Sequence, residues 1–160
     1  MDAVKSVTYV SGPVAFPFQR PPRPCSDLRN DMPARILVCD DESHITRTIE
    51  LRLRKAGFDV ELAEDGVAAW QAAQREAPDL LISDCQMPRM NGLELCRKMR
   101  NDFRFVHTPI IMLTAKAYEL PTRTLERELR VSAIVSKPFS PRDMLKLVQL
   151  LTGAEELTPQ

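Results

Sequence analysis

Four short stretches of this sequence carry groups suited to chemistry on phosphorus: Asp40-Asp41-Glu42, Asp84, Thr114 and Lys137. Two carboxylates about 5 Å apart at an effective dielectric of about 20 repel by roughly 3 kcal/mol. Asp40, Asp41 and Asp84, if folding gathers them, must raise one another's pKa or attract a cation. A hard divalent ion with oxygen ligands suits them, and Mg²⁺ typically uses one or two carboxylates with waters and a phosphate. Lys137 supplies fixed positive charge opposite the acids, and Thr114 offers a hydroxyl donor to an incoming oxyanion. A carboxylate beside Mg²⁺ and a lysine is a competent nucleophile toward phosphorus. The chemistry implied is phosphoryl transfer onto an aspartate.

Such a site needs a fold that brings Asp40 to Lys137. Apolar runs occur at Arg35–Cys39, Phe58–Leu62, Asp79–Ser83, Pro109–Leu113 and Ser132–Val135. Three of them, around Ile36–Val38, Leu80–Ile82 and Ile110–Leu113, are near-continuously apolar, as strands covered on both faces are. Helical stripes separate the runs. Ile45, Ile49, Leu53 and Ala56 share one face, with Ser43 as N-cap and Gly57 as the C′ glycine. Ala69, Trp70, Ala73 and Ala77 follow Asp65-Gly66; Leu95, Cys96 and Met99 mark a third helix. Tyr118–Arg130 reads as a fourth, although Pro121 interrupts it. The last opens on Ser140-Pro141-Arg142-Asp143, with a capping serine and a proline at N1. Strands alternating with helices specify an α/β fold with a mainly parallel, doubly wound sheet of five strands and five helices. In such sheets function lies beyond the carboxyl ends of the strands. Asp40-Asp41-Glu42, Asp84, Thr114 and Lys137 all fall there.

Composition narrows the field. Lys+Arg 22 balance Asp+Glu 22, so no global basic field exists to hold nucleic acid or an anionic membrane surface. No apolar run is long enough for a spanning helix or a secretory signal. The four cysteines, Cys25, Cys39, Cys85 and Cys96, include no C-x-x-C pair, which predicts reduced thiols and a cytoplasmic protein. Cys39 and Cys85 flank the acids, but buried cysteine is usually a small hydrophobe. His44 reads as an exposed first-turn residue and Trp70 as helix-face packing. Residues 1–31 hold five of the 13 prolines and no helical or strand period, and are predicted to be a Pro-rich extension outside the core. Translation starting at Met32 is an expectation that intact-mass measurement checks. The tail, 152–160, is too short for an output domain.

The stretches Ile36-Leu37-Val38-Cys39-Asp40-Asp41-Glu42, Asp84-Cys85-Gln86-Met87-Pro88-Arg89-Met90-Asn91-Gly92, Leu113-Thr114-Ala115-Lys116 and Lys137-Pro138-Phe139 resemble the response-regulator receiver domains of two-component signalling. The resemblance covers roughly Ala34 to Leu151. It implies the flavodoxin-like strand order 2-1-3-4-5, and Asp84 as the residue phosphorylated by a histidine kinase or histidine phosphotransfer protein. It implies Asp41, Asp84 and the Gln86 backbone carbonyl as Mg²⁺ ligands, with Asp40 acting through water. Thr114 and Lys137 would contact the phosphoryl oxygens, and Lys137-Pro138 would be cis. Two positions depart from the family pattern. Ile134 stands where an aromatic residue usually takes part in the switch, with Tyr118 as a substitute to consider. Arg130-Val131 stands where Gly-Ala is usual.

The resemblance implies a stand-alone module that acts by protein–protein interaction with a downstream target, without nucleic-acid contact or membrane insertion, and leaves dimerisation open. A phosphorelay intermediate that hands its phosphoryl group onward is the nearest alternative. A Mg²⁺-dependent phosphatase with an aspartyl intermediate would want D-x-D-x-T after the first strand, where this chain reads Asp40-Asp41-Glu42-Ser43. A flavin or nucleotide binder would want a Gly- or Ser/Thr-rich phosphate loop there.

Overall fold

Near-continuous apolar character on both faces makes three of the strands interior strands, and parallel crossover connections require helices on each side of them. The computed structural model describes residues 7–9, 33–116 and 122–153. In chain order its elements are β1 (Val7–Tyr9), β2 (Arg35–Cys39), α1 (Ser43–Lys55), β3 (Asp59–Ala63), α2 (Gly66–Arg75) and β4 (Leu80–Asp84). Then follow α3 (Gly92–Asn101), β5 (Ile110–Thr114), α4 (Thr122–Arg127), β6 (Ala133–Ser136) and α5 (Pro141–Thr152). The sheet order is β1-β6-β5-β4-β2-β3. β2 to β6 pair in parallel, and numbered among themselves they have the expected order 2-1-3-4-5.

The sheet has a sixth strand that the sequence reading assigned to a non-core extension. β1 pairs antiparallel with β6, with Val7 opposite Val135, Thr8 opposite Ile134 and Tyr9 opposite Ala133. Valine, threonine and tyrosine suit a strand, but three such residues beside five prolines do not raise a period in a sequence window. The extension expected over residues 1–31 is corrected at 7–9; its other residues lie outside the described ones.

The two faces of the sheet bury two sets of alternating side chains. Ile36, Val38, Leu80, Ile82, Ile111 and Leu113 pack under α1 and α5, through Ile49, Leu53, Met144, Leu147 and Val148. Leu37, Cys39, Leu81, Ile110, Met112 and Ile134 face α2, α3 and Leu125 of α4, through Ala69, Ala73, Leu95 and Met99. Trp70 closes the margin of this second layer edge-to-face on Phe105, with ring centroids 5.8 Å apart.

Helix ends follow local chemistry, with one correction. Glu42, rather than Ser43, is the N-cap of α1. The Asp40 carboxylate accepts the Glu42 N–H at 2.9 Å, which starts the helix one residue early. Asp65 caps α2 by accepting from Ala68 N–H at 2.8 Å. Asn91 and Glu94 form a reciprocal capping box on α3. Gly57 follows the α1 C-cap with φ +95°, where a side chain would be strained.

Arg130 has φ +46°, a left-handed conformation unfavourable for a side-chain-bearing residue. Its carbonyl is held by Arg100, whose guanidinium also donates to the Leu129, Phe105 and Val106 carbonyls. Burial pushes the Arg100 pKa down to about 10, and the Arg130 charge adds to that. Arg130→Gly therefore relieves strain and a like charge while leaving the backbone acceptor in place. The substitution is expected to stabilise the fold by up to about 1 kcal/mol, measured by urea denaturation.

Candidate functional site

In a parallel sheet all strands end at one rim, so register decides which side chains meet. Cys39 lies opposite Ser83, Asp84 opposite Leu113 and Thr114 opposite Ser136. Asp40 and Asp41 thus leave β2 beside the end of β4, which is Asp84, while Lys137 leaves β6 beside the end of β5, which is Thr114. The turns are tied down by the backbone. Cys85 N–H donates to the Leu113 carbonyl at 2.9 Å, and Lys137 N–H donates to the Thr114 carbonyl at 2.8 Å. Lys137-Pro138 is cis.

The acids converge. One carboxylate oxygen each from Asp40, Asp41 and Asp84 lies within 4.8 Å of the others, with Asp40 and Asp84 buried and Asp41 exposed. The Lys137 ammonium stands 2.8 Å from Asp40 Oδ2, 3.1 Å from Glu42 Oε1 and 3.4 Å from Asp84 Oδ1. The approach to Asp40 Oδ2 is the shortest of the three and pairs the ammonium with that carboxylate. Three converging carboxylates, two of them buried, outnumber the one ammonium among them, and that set fits a hard cation.

Burial pushes the Asp84 pKa up to about 6, and the charge of Asp40 pushes the same way against Lys137. Burial likewise raises Asp40 above the usual carboxylate range despite Lys137. For Lys137, burial works against the ammonium, but its contacts with Asp40, Glu42 and Asp84 outweigh it and hold the group above its ordinary value. Folding therefore makes Asp84 harder to ionise than an ordinary carboxyl, even with Lys137 beside it. A raised carboxyl pKa contributes stability that is fully present below the unfolded value and lost as pH rises through about 6. The metal-free protein is expected to lose thermal stability across that window, and added Mg²⁺ to restore it. Melting temperatures of wild type and Asp84→Asn against pH check this: the variant should gain on wild type above about pH 6, and Mg²⁺ should help wild type more.

Thr114 is buried at the end of β5, and its hydroxyl is engaged locally. It accepts the Lys116 N–H at 3.0 Å. A hydroxyl that accepts one hydrogen bond still has its own hydrogen to donate, as the expected contact with phosphoryl oxygens needs. Gln86 is exposed in the loop after Asp84. That loop is shaped by Gly92 N–H donating to the Cys85 carbonyl at 3.0 Å and Gly66 N–H donating to the Met90 carbonyl at 3.2 Å. Arg89, at φ +66°, places its guanidinium 2.5 Å from the buried Asp65 carboxylate.

Two features of the site escaped the sequence reading. Glu42 partners Lys137, although its place in the acidic run was visible. Arg89 clamps the loop to the N-terminus of α2, and only the three-dimensional proximity of two loops shows it. Other expectations fell on the bland side. His44 is exposed, 3.6 Å from Glu42 Oε2. Cys39, Cys85 and Cys96 are free and buried. Burial, then the nearby carboxylates, drives the Cys39 thiol up, and burial with Asp84 pushes Cys85 up to about 12, so neither offers a thiolate. Ile134 packs in the layer with Met112, Leu125 and Leu129. Tyr118 and Cys25 lie outside the described residues. Among the described residues no helix is long and apolar enough to cross a membrane.

Comparison with known proteins gives concordant results. Residues 36–149 match the family model described as response regulator receiver domain. Over 126 residues the chain is 36% identical to the alkaline phosphatase synthesis transcriptional regulatory protein PhoP of Bacillus subtilis, covering 79% of this chain and 51% of that protein. The chain thus spans about half the length of that relative. Chemotaxis protein CheY4 of Vibrio cholerae is similar in structure, with TM-score 0.68, 33% identity and coverage of 74% of this chain and 98% of that one. So is the receiver domain of sensor histidine kinase PA1611 from Pseudomonas aeruginosa, with TM-score 0.66 and 29% identity over 76% of this chain and 99% of that one. The PA1611 domain has a magnesium ion coordinated in its active-site cleft.

Proposed function

The chain belongs to the response regulator receiver domain family, whose members are phosphorylated on aspartate in two-component signalling, and on that premise we propose that Asp84 is its phosphoacceptor. The observation that carries this reading is the convergence of Asp84 with Asp40, Asp41 and Lys137 at one rim of the sheet. Asp41, Asp84 and the Gln86 carbonyl would hold Mg²⁺, with Asp40 assisting through water. Bound there, it would supply positive charge to the phosphoryl oxygens and favour the ionised, nucleophilic form of Asp84.

The chain's own groups do the rest. An Asp84 carboxylate oxygen forms the new bond to phosphorus while the phosphorus–nitrogen bond to the donor imidazole breaks, and the imidazole leaves with its electron pair. Lys137 holds Asp84 in place before transfer, at 3.4 Å, and afterwards pairs with a phosphoryl oxygen. Thr114 donates its hydroxyl hydrogen to another. Modification adds about −1.5 to −2 charges to a buried site, and the recruitment of Thr114 and Lys137 is the local event that shifts the population of states. The donor is a histidine kinase or histidine phosphotransfer protein, and the output is a protein partner met in the cytoplasm.

Transfer of labelled phosphate from a phosphorylated histidine phosphotransfer domain tests the reading. Label should appear only with Mg²⁺ and be released by hydroxylamine, as an acyl phosphate is. Label that survives hydroxylamine, or that forms equally in chelator, would contradict it. Label returning to the histidine domain would identify a relay intermediate instead of a terminal regulator.

A further inference from the structure

The two edges of the sheet are defended differently. β3, at one edge, reads Asp59-Val60-Glu61-Leu62-Ala63, and its acids are engaged by arginines. Arg35 reaches Asp59 at 3.3 Å and also pairs with Glu61, while Arg75 reaches Glu61 at 2.7 Å. Charged side chains along an edge deter pairing with other chains. β6 reads Ala133-Ile134-Val135-Ser136 and carries no charge. Uncovered, it would present unpaired backbone donors and acceptors along a β-branched segment, the features that template pairing. What covers it is β1, through three residue pairs.

The cover is antiparallel. A two-fold axis normal to the sheet imposes the same arrangement on two copies of one edge strand. The edge is thus already shaped for the strand that a second copy would offer. β1 is also a tethered occupant rather than a neighbour in sequence. From β1 to β2 the sheet crosses β6, β5 and β4, a distance of roughly 19 Å at ordinary strand spacing. The intervening residues 10–34 are many more than that span demands at about 3.3 Å each, so detachment of β1 need not disturb β2.

We propose that the β6 edge is a self-association surface, closed within each chain by β1 and taken up by β6 of a second copy when β1 is detached. The test uses the full chain carrying Val7→Gly, Thr8→Pro and Tyr9→Gly together, which removes strand propensity and one backbone donor and alters no residue of the acid site. Thr8→Pro alone serves as a milder second variant. Sedimentation across a concentration series, with amide hydrogen exchange at 133–136, reads the result, and retained Mg²⁺ binding certifies the fold. Wild type should stay monomeric with 133–136 protected. The triple variant should form a dimer whose share rises with concentration, with 133–136 exposed when dilute and protected when concentrated, and Thr8→Pro should fall between. A triple variant monomeric across the series would overturn the proposal. So would 133–136 equally protected in dilute variant and wild type, or a wild-type dimer with β1 still in place.

Discussion

Asp84→Asn is expected to abolish phosphoryl acceptance, lowering the labelling rate by a factor on the order of 10³ or more, the scale met when a nucleophile is removed. The neutral amide cannot attack phosphorus, and it takes one of three carboxylates from the cation site. The fold should survive. Asp84 is a buried acid whose ionisation burial and Asp40 both oppose, so its neutral isostere loses one ion-pair partner of Lys137 but keeps Asp40 and Glu42 for that ammonium. Loss of label with an unchanged or raised melting temperature at neutral pH is the predicted pattern. Label at wild-type rate on the variant would place the acceptor elsewhere.

Gly92→Ala is expected to damage both fold and site. A Cβ at this position would lie 2.2 Å from the Asp84 carbonyl oxygen and 3.1 Å from the Cys85 Cα, both backbone atoms that no rotamer change can move aside. Gly92 also opens α3 and donates its N–H to the Cys85 carbonyl at 3.0 Å. Relief requires the loop between Asp84 and α3 to shift, carrying the Gln86 carbonyl with it. The expected cost is about 3 kcal/mol or more, at the upper end for overpacking because the clash is with backbone. Urea denaturation reads the stability, and a Mg²⁺ titration of the folded fraction reads the site. A variant within about 0.5 kcal/mol of wild type, the range of an ordinary surface change, with unaltered Mg²⁺ affinity would show that the close approach is not needed.

Much of this architecture is legible in the sequence because parallel strands announce themselves. Ile36–Val38, Leu80–Ile82 and Ile110–Leu113 are apolar on both faces, and the rule that sites lie past strand ends places Asp40, Asp41, Asp84, Thr114 and Lys137 at one rim, while the strand order came from the family resemblance. The boundaries slipped by one residue for four of the five parallel strands, since β3, β4, β5 and β6 each begin and end one position later than the apolar runs. Hydrophobicity marks which side chains are covered, whereas the ladder is set by backbone pairing, so Asp84, Thr114 and Ser136 can end strands despite being polar.

What the sequence hid is what depends on reach between separate loops. The Glu42–Lys137 contact joins residues with nearly the whole domain between them. Arg89 meets Asp65 only because the loop after β4 folds over the start of α2. Ser43 looked like a cap, but the Asp40 carboxylate displaced the helix start to Glu42. β1 was lost among prolines because three strand-forming residues carry meaning only when β6 is there to receive them.

A structure of the full chain with Mg²⁺ and beryllofluoride tests the central claim most directly. The account predicts a beryllium adduct on an Asp84 carboxylate oxygen, fluorines contacted by the Lys137 ammonium and the Thr114 hydroxyl, and Mg²⁺ among Asp40, Asp41, Asp84 and the Gln86 carbonyl. An adduct on another side chain, or an empty acid cluster under conditions where Mg²⁺ binds elsewhere on the protein, would contradict it.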